Sequence, residues 1–383
     1  TVAKGDKAAV KVKVYNLASN YYVNYSVTGP FEATVGGYLN GTKPNSMGPG
    51  SLVKTIYMNT TDWVNNYNAT SGKYKFSVIV KEDNTDNTVT SAAGYFTLED
   101  ISLTVDLPAS VKLGSKFLIK GTTNIAETNS KYDNGTTNYV KVRINNSAGN
   151  KVYPSGSDLW QSMTVQADGS FQTPASIKID LTQGTGSYKV TFFAETDTGI
   201  NKTKVVYLVV EEPDIEWNLD KTTFVRGEEI YLKGTSSLAE GTTIRIQCDE
   251  LGSLIKELGS STTEVKTSAG GDWTTNKLHI ASDAAKKSYT LHATIIDENG
   301  AATSYKATVT IRVAKAVLNA TLEKTTLTRG EEVVLSGTTS LDYVYLYTDK
   351  NNVFENINKI PNENDQFPAS ADDYKISVSD NKF

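Results

Sequence analysis

Side chains able to carry covalent or acid–base chemistry are scarce in this sequence. It holds one cysteine, Cys248, and two histidines, His279 and His292, in 383 residues. A working nucleophile needs a partner base in a polar setting. Cys248 instead closes the alternating run 243–248, in which Ile244, Ile246 and Cys248 share one face. It therefore reads as a small core residue. His279 sits between Leu278 and Ile280, and His292 between Leu291 and Ala293. Each points away from an apolar strand face, toward solvent. No Gly-x-Ser-x-Gly elbow, Walker loop or dinucleotide-binding glycine motif occurs. The sequence predicts no catalytic residue, no cofactor-binding residue and no enzymatic activity. Lone cysteine also excludes internal disulfides and Cys-rich metal clusters.

Modification chemistry has more candidates. Asn-x-Ser/Thr sequons occur at Asn24, Asn40, Asn59, Asn68, Asn134, Asn145, Asn201 and Asn319. Their number is close to what composition alone gives, so they are acceptors only if the chain is exported. Asn24, Asn59 and Asn134 lie in polar, turn-like sequence and are the expected glycan sites.

The elements that must position these residues are strands. The chain has 48 Thr, 32 Ser, 30 Asn and 28 Gly, a composition that favours strands and turns over helices. No helical stretch of any length is expected, beyond one possible turn at 283–287. Hydrophobic residues make up 38% and charged residues 21%, with a net charge of −5, so a globular chain without a nucleic-acid footprint is expected. The longest apolar run, 205–210, is far below the ~18 residues of a membrane span. The chain opens on Thr1 without a signal-peptide pattern, as a processed or trimmed chain would.

Internal repeats set the domain plan. Residues 219–238 and 322–341 share the frame LxKTTxxRGEExxLxGTxSL, with weaker copies at 110–124 and 2–14. Gly5, Gly114, Gly227 and Gly330 align, at a period near 100 residues, which is a domain period. Apolar residues follow each glycine at plus three and plus five, as in Phe117 and Ile119 or Ile230 and Leu232. That alternation is a half-buried strand entered from a glycine turn. A second landmark aligns Tyr74, Tyr188, Tyr289 and Tyr374 at the start of a late strand in each copy. A tyrosine there resembles the tyrosine corner of immunoglobulin-like sandwiches.

The expected fold is therefore all-β: four tandem immunoglobulin-like β-sandwiches, 1–99, 100–212, 213–314 and 315–383, in an elongated rod without flexible linkers. Repeat one has only four residues before its glycine, and repeat four ends just after its Tyr374 strand. Both read as incomplete, through truncation or through a strand supplied by a neighbouring subunit. In such a topology the turn before the last strand lies at a domain's entry end. Asp297 and Glu298 would then approach Glu211, Glu212 and Asp214, while Glu195 and Asp197 would approach Glu99 and Asp100. Oxygen ligands of this kind suit Ca²⁺, although solvated turn acids are the commoner outcome. Tyrosines cluster at Tyr21, Tyr22 and Tyr25 and at Tyr343, Tyr345 and Tyr347, as core filling or as a lateral contact.

The Gly-Glu-Glu strand entry, the Gly-Thr-Thr/Ser segment and the Ser-Tyr-Lys landmark, on Thr/Asn/Gly-rich domains, resemble archaeal cell-surface proteins, in particular methanogen S-layer-type proteins with tandem immunoglobulin-like repeats. The resemblance implies export, glycosylation and self-association into a layer, sheath or filament, with itself and cell-wall or surface glycans as partners. An extracellular adhesin or carbohydrate-binding stalk is the alternative.

Overall fold

Alternation after each repeat glycine becomes strand in the computed structural model. It describes residues 1–17, 20–30, 35–38, 50–83, 85–128, 138–196, 199–339, 343–345, 375–377, 379 and 382. The chain divides into two compact units, Thr1–Glu212 and Pro213–Phe383.

The first unit begins with β1 (Val2–Ala3), β2 (Lys7–Leu17), β3 (Tyr21–Thr28), β4 (Val35–Tyr38), β5 (Gly50–Asn59), helix α1 (Thr60–Tyr67), β6 (Gly72–Glu82) and β7 (Thr88–Glu99). One sheet runs β1-β7-β6-β3-β4, and β2 pairs with β5 in another. Ala8, Val12 and Val14 of β2 join Val23, Ile56, Tyr74, Phe76 and Leu98 in the core between them.

The unit continues with β8 (Leu103–Asp106), β9 (Ser110–Lys112), β10 (Lys116–Phe117), β11 (Lys120–Thr123), β12 (Tyr139–Asn145), β13 (Lys151–Tyr153), β14 (Gln161–Thr164), β15 (Ser170–Gln172), β16 (Ile177–Lys178), β17 (Gly186–Glu195) and β18 (Asn201–Glu211). A sheet ordered β13-β12-β17-β18-β9, with β14 also on β12, accompanies β15-β11-β8 and β10-β16.

The second unit repeats this plan. It has β19 (Ile215–Trp217), β20 (Thr223–Phe224), β21 (Glu229–Ile230), β22 (Lys233–Ser236), β23 (Thr243–Gln247), helix α2 (Leu251–Leu254), β24 (Thr262–Lys266), β25 (Asp272–Thr274), β26 (Leu278–His279), β27 (Ser288–Ile296) and β28 (Ala302–Val313). The sheets are β20-β28-β27-β23-β24, β19-β22-β25 and β21-β26. Beyond them, β29 (Leu318–Leu322) pairs with β30 (Leu335–Thr339), and β31 (Tyr343–Tyr345) with β32 (Lys375–Ser377). The fold is all-β, a series of immunoglobulin-like sandwiches.

Among the described residues, three pairings are parallel: β1 with β7, β9 with β18 and β20 with β28. Each joins the strand just before a sandwich's turn glycine to its last strand. After that strand the chain must turn and begin a strand of the opposite sheet. Gly5, Gly114, Gly227 and Gly330 make that turn with φ of 94°, 74°, 79° and 85°, a region that favours glycine. The next N–H closes each turn on the carbonyl three residues back, as from Glu228 to Val225 at 3.3 Å. Side chains reinforce the turn. Glu228 Oε2 accepts the Val225 N–H at 2.7 Å and its Oε1 pairs with Lys221. Glu331 repeats this with the Thr328 N–H at 2.9 Å and Lys324 at 2.6 Å. Ser115 Oγ donates instead to the Lys112 carbonyl at 2.6 Å.

The aligned tyrosines are buried and form tyrosine corners. The hydroxyls of Tyr74, Tyr188 and Tyr289 each donate to the carbonyl four residues upstream, on Thr70, Gly184 and Ala285, at 2.7, 2.6 and 3.0 Å. Tyr374 and Tyr347 lie outside the described residues.

Two expectations are corrected. Helix is present: α1 spans eight residues, with Asn59 Oδ1 accepting the Thr61 N–H at 3.0 Å as N-cap and Asn68 ending it at φ 53°. The Thr-rich composition hid it, because the capping comes from two asparagines that also sit in sequons, and Trp63 anchors the helix in the core. Residues 283–287 form no helix, only the hydrogen-bonded turns Ala284 to Ala281 and Lys287 to Ala285. Before its glycine, repeat one shows the short strand β1, which pairs with Leu98 and Glu99 as β9 and β20 pair with their partners, and among the described residues it shows no strand in the place of β8 or β19.

Replacing Tyr188 with Phe removes one neutral hydrogen bond and is expected to cost about 1 kcal/mol in urea unfolding. Gly234→Ala is expected to cost more, about 2 kcal/mol or above. Its Cβ would stand 2.0 Å from the Glu216 carbonyl oxygen and 2.2 Å from the Trp273 ring.

Candidate interaction sites

Within the first unit, one polar cluster ties the two sandwiches together. Asp6 holds the position of Ser115, Glu228 and Glu331, directly after the turn glycine. Its carboxylate reaches across to the next sandwich. Oδ2 accepts the Ala126 N–H at 2.8 Å and Oδ1 accepts Asn138 Nδ2 at 2.9 Å, across to sandwich two. Asp6 is 4% exposed and Asn138 is fully buried. A buried carboxylate is tolerated only when such donors replace water. Thr60, the first residue of α1, completes the cluster by accepting the Gly5 N–H at 2.9 Å and donating to the Asp6 carbonyl at 2.7 Å. Gly5 is doubly required, since a Cβ there would stand 2.4 Å from Thr196 Oγ1 and 2.8 Å from Ile200. At the rim, Lys4 Nζ lies 2.7 Å from Asp100 Oδ1 and holds that carboxyl below its ordinary value. This cluster was invisible in the sequence because its partners are 120 and 132 residues away.

The residues singled out for chemistry are engaged structurally. Cys248 is buried on the face it shares with Ile244 and Ile246. His279 Nδ1 lies 2.9 Å from Glu257 Oε1, and His292 Nδ1 lies 2.9 Å from Thr308 Oγ1 on the neighbouring strand. Asp297 Oδ1 accepts the N–H groups of Asn299 and Ala301, both at 2.9 Å, and shapes the β27–β28 turn. Glu211, Glu212, Asp214 and Glu298 are exposed. Glu195 pairs with Lys141 at 3.0 Å. Among the described residues, no group of three or more His, Cys, Asp or Glu is placed to hold a metal ion, and no helix is long and apolar enough to cross a membrane. Asp197 lies outside the described residues.

The sequons differ in access. Asn24 is half-buried on β3, between β4 and β6, and its Oδ1 is buried without a partner. Asn59 and Asn145 are half-buried, the latter donating to the Gly149 carbonyl at 2.8 Å. Asn68, Asn201 and Asn319 are exposed, and Asn40 and Asn134 lie outside the described residues.

Of the clustered tyrosines, Tyr21 and Tyr22 are buried and Tyr25 stacks on Phe76 with ring centroids 5.7 Å apart. Exposed aromatic side chains lie on several faces, among them Tyr15, Tyr57, Tyr95 and, on β18, Tyr207. Val205, Tyr207 and Val209 project from β18, with Tyr207 66% exposed. Nearby, Arg143 stacks 4.8 Å over the Trp160 ring, which packs against Phe193 at 5.9 Å.

No family model matches the chain. It is 25% identical over 279 residues to an uncharacterized protein of Archaeoglobus fulgidus, covering 66% of this chain and 26% of that relative, so it spans about a quarter of the relative's length. Solved structures with similar arrangements include a tetra-tandem repeat from the extending region of a large adhesion protein (18% identity, 88% of this chain and 78% of that one, TM-score 0.28). Another is a tandem from titin (12% identity, 82% and 95%, TM-score 0.34). At these scores neither likeness carries an argument about function.

Asp6→Ala leaves the Asn138 amide and the Ala126 N–H buried without an acceptor, so a loss of about 1–3 kcal/mol is expected in thermal or urea unfolding. Asp6→Asn is not expected to rescue it, because an amide NH₂ must then face one of two donors. The Lys4–Asp100 pair, with its lowered carboxyl pKa, contributes fully above the ordinary aspartate value of about 4 and loses that contribution as pH falls through the lowered value. NMR titration of Asp100 in Lys4→Ala should show the carboxyl returning upward. In native material, peptide mass spectrometry is expected to find glycan at Asn68, Asn201 or Asn319 ahead of Asn24. Glycan at Asn24 with Asn68, Asn201 and Asn319 unmodified would contradict this order.

Proposed function

We propose that this chain is a non-enzymatic structural part of an extracellular cell-surface protein, one whose immunoglobulin-like repeats associate with further copies into a layer, sheath or filament. The observation that carries this reading is the way polar groups are used. The residues best able to do chemistry are engaged in turns, caps and cross-strand contacts, and the most elaborate polar cluster, around Asp6, joins one sandwich to the next. Such a cluster fixes the angle between neighbours, which repeated contacts in an assembly require. Repetition of one sandwich plan along the chain supports the same reading. Surface glycans and other copies of the chain are the partners this function calls for.

A second reading, a surface adhesin or carbohydrate-binding stalk, is favoured by the aromatic outer face around Trp160, Phe193 and Tyr207. Flat aromatic side chains of this kind suit contact with another surface.

Electron microscopy of the purified protein, and of cells that make it, separates the two. Regular arrays or filaments are expected under the first reading. Isolated particles at every concentration would remove it and leave the adhesin.

A further inference from the structure

Sandwich two carries rings and unpaired cations on a sheet face that its fold does not require. Val142 of β12, Phe192 of β17 and Leu208 of β18 are fully buried, so the residues alternating with them stand on the outer face of the sheet. Across that face a strip runs from Trp160, beside β12, through Arg143 and Phe193 to Lys189 and Tyr207. Sandwich three builds the same sheet with Gln247, Thr290, Thr294 and Thr310 in the places of Arg143, Lys189, Phe193 and Tyr207. Neither the rings nor the charges are needed to form it.

The cations of the strip are uncompensated. Lys141, on the same face, pairs with Glu195 at 3.0 Å. Among the described residues no carboxylate pairs with Arg143 or Lys189. The Arg143 guanidinium lies 4.8 Å over the Trp160 ring, and its Nε is buried without an acceptor. Lys189 is exposed directly opposite Tyr207. The face is thus positive on a chain whose net charge is −5.

We propose that this face binds an acidic polysaccharide, a chain of carboxylated sugar residues. Sugar rings lie on Trp160, Phe193 and Tyr207, and carboxylates pair with Arg143 and Lys189. One face of a pyranose ring is a sheet of C–H groups, which packs on an aromatic ring while the hydroxyls around it stay in water. A planar carboxylate matches the guanidinium fork. Rings and cations alternate along the strip, as apolar faces and carboxylates do along such a polymer. An acidic protein segment would supply the charge without the ring faces. Strands stand about 4.8 Å apart, so the strip is about 15 Å wide, room for an oligosaccharide.

The test is a calorimetric titration of the full chain with polygalacturonate. Saturable binding that weakens in high salt is expected. Arg143→Gln and Tyr207→Thr, which copy the choices of sandwich three, should each weaken it about fivefold or more with an unchanged melting temperature. No saturable binding, or equal binding by both variants, overturns the site. Equal binding of neutral dextran overturns the need for acid, and equal binding of dextran sulfate overturns the need for carboxylate. Equal binding of polyglutamate makes the occupant an acidic protein and overturns the polysaccharide. The site rests on the surface-glycan partner proposed above, and polysaccharide extracted from cells that make the protein separates the two. Failure to retain the unmodified chain removes that partner and the site together. Retention of the unmodified chain and of Arg143→Gln alike keeps the partner and overturns the site alone.

Discussion

The first three sandwiches depend on a backbone that must leave one sheet and enter the other within a few residues. The strand before the turn is already committed to a parallel ladder with the last strand, so the turn has no freedom to drift. A left-handed residue is the only short solution, and glycine adopts it without a Cβ clash. The strand that follows then starts in a fixed register, with its apolar residues facing the core. The side chain just after the glycine is consequently held in a fixed place as well. In three repeats it ties down its own turn. In the first repeat the same position is turned outward, and it becomes the buried link to sandwich two.

Threonine abundance has a local explanation in the same design. Strands on the smaller sheets are broken into short pieces, and each break leaves backbone groups without a ladder partner. Threonines fill these breaks in matching places. Thr173 and Thr275 each receive an N–H on the hydroxyl, from Ile119 and Leu232, and return their own N–H to the same residue's carbonyl. Thr267 accepts the Thr242 N–H and donates to the Ala239 carbonyl. β-branched residues with a hydroxyl suit both demands, extended backbone and local hydrogen bonding. The composition that pointed to strands is thus also a record of how those strands are interrupted.

Features carried by local pattern were legible in the sequence. The turn glycines, the alternation after them and the tyrosine corners each occupy a few consecutive residues. Features carried by distance were not. Asp6 looks like an ordinary turn acid until Ala126 and Asn138 are placed beside it. Asn59 and Asn68 match a glycosylation pattern and a helix-capping pattern equally well, and burial of Trp63 is what selects the helix. The acids at the ends of the sandwiches were grouped by the expected topology and not by any local pattern. Asp297, at least, is occupied by its own turn.

Parallel pairing of an early strand with the last strand has a mechanical consequence. Within a sandwich a strand near the chain's entry, just before the turn glycine, lies beside the exit strand and runs in the same direction. Tension applied through the chain ends therefore pulls β9 against β18, or β20 against β28, along their length. The ladder is loaded in shear, so its hydrogen bonds resist together instead of opening one at a time. Beside that ladder the turn closed by Glu228 and Lys221 bears on the same short stretch of backbone. A chain organised in this way is suited to carrying load while folded, with little extension until a whole sandwich gives way.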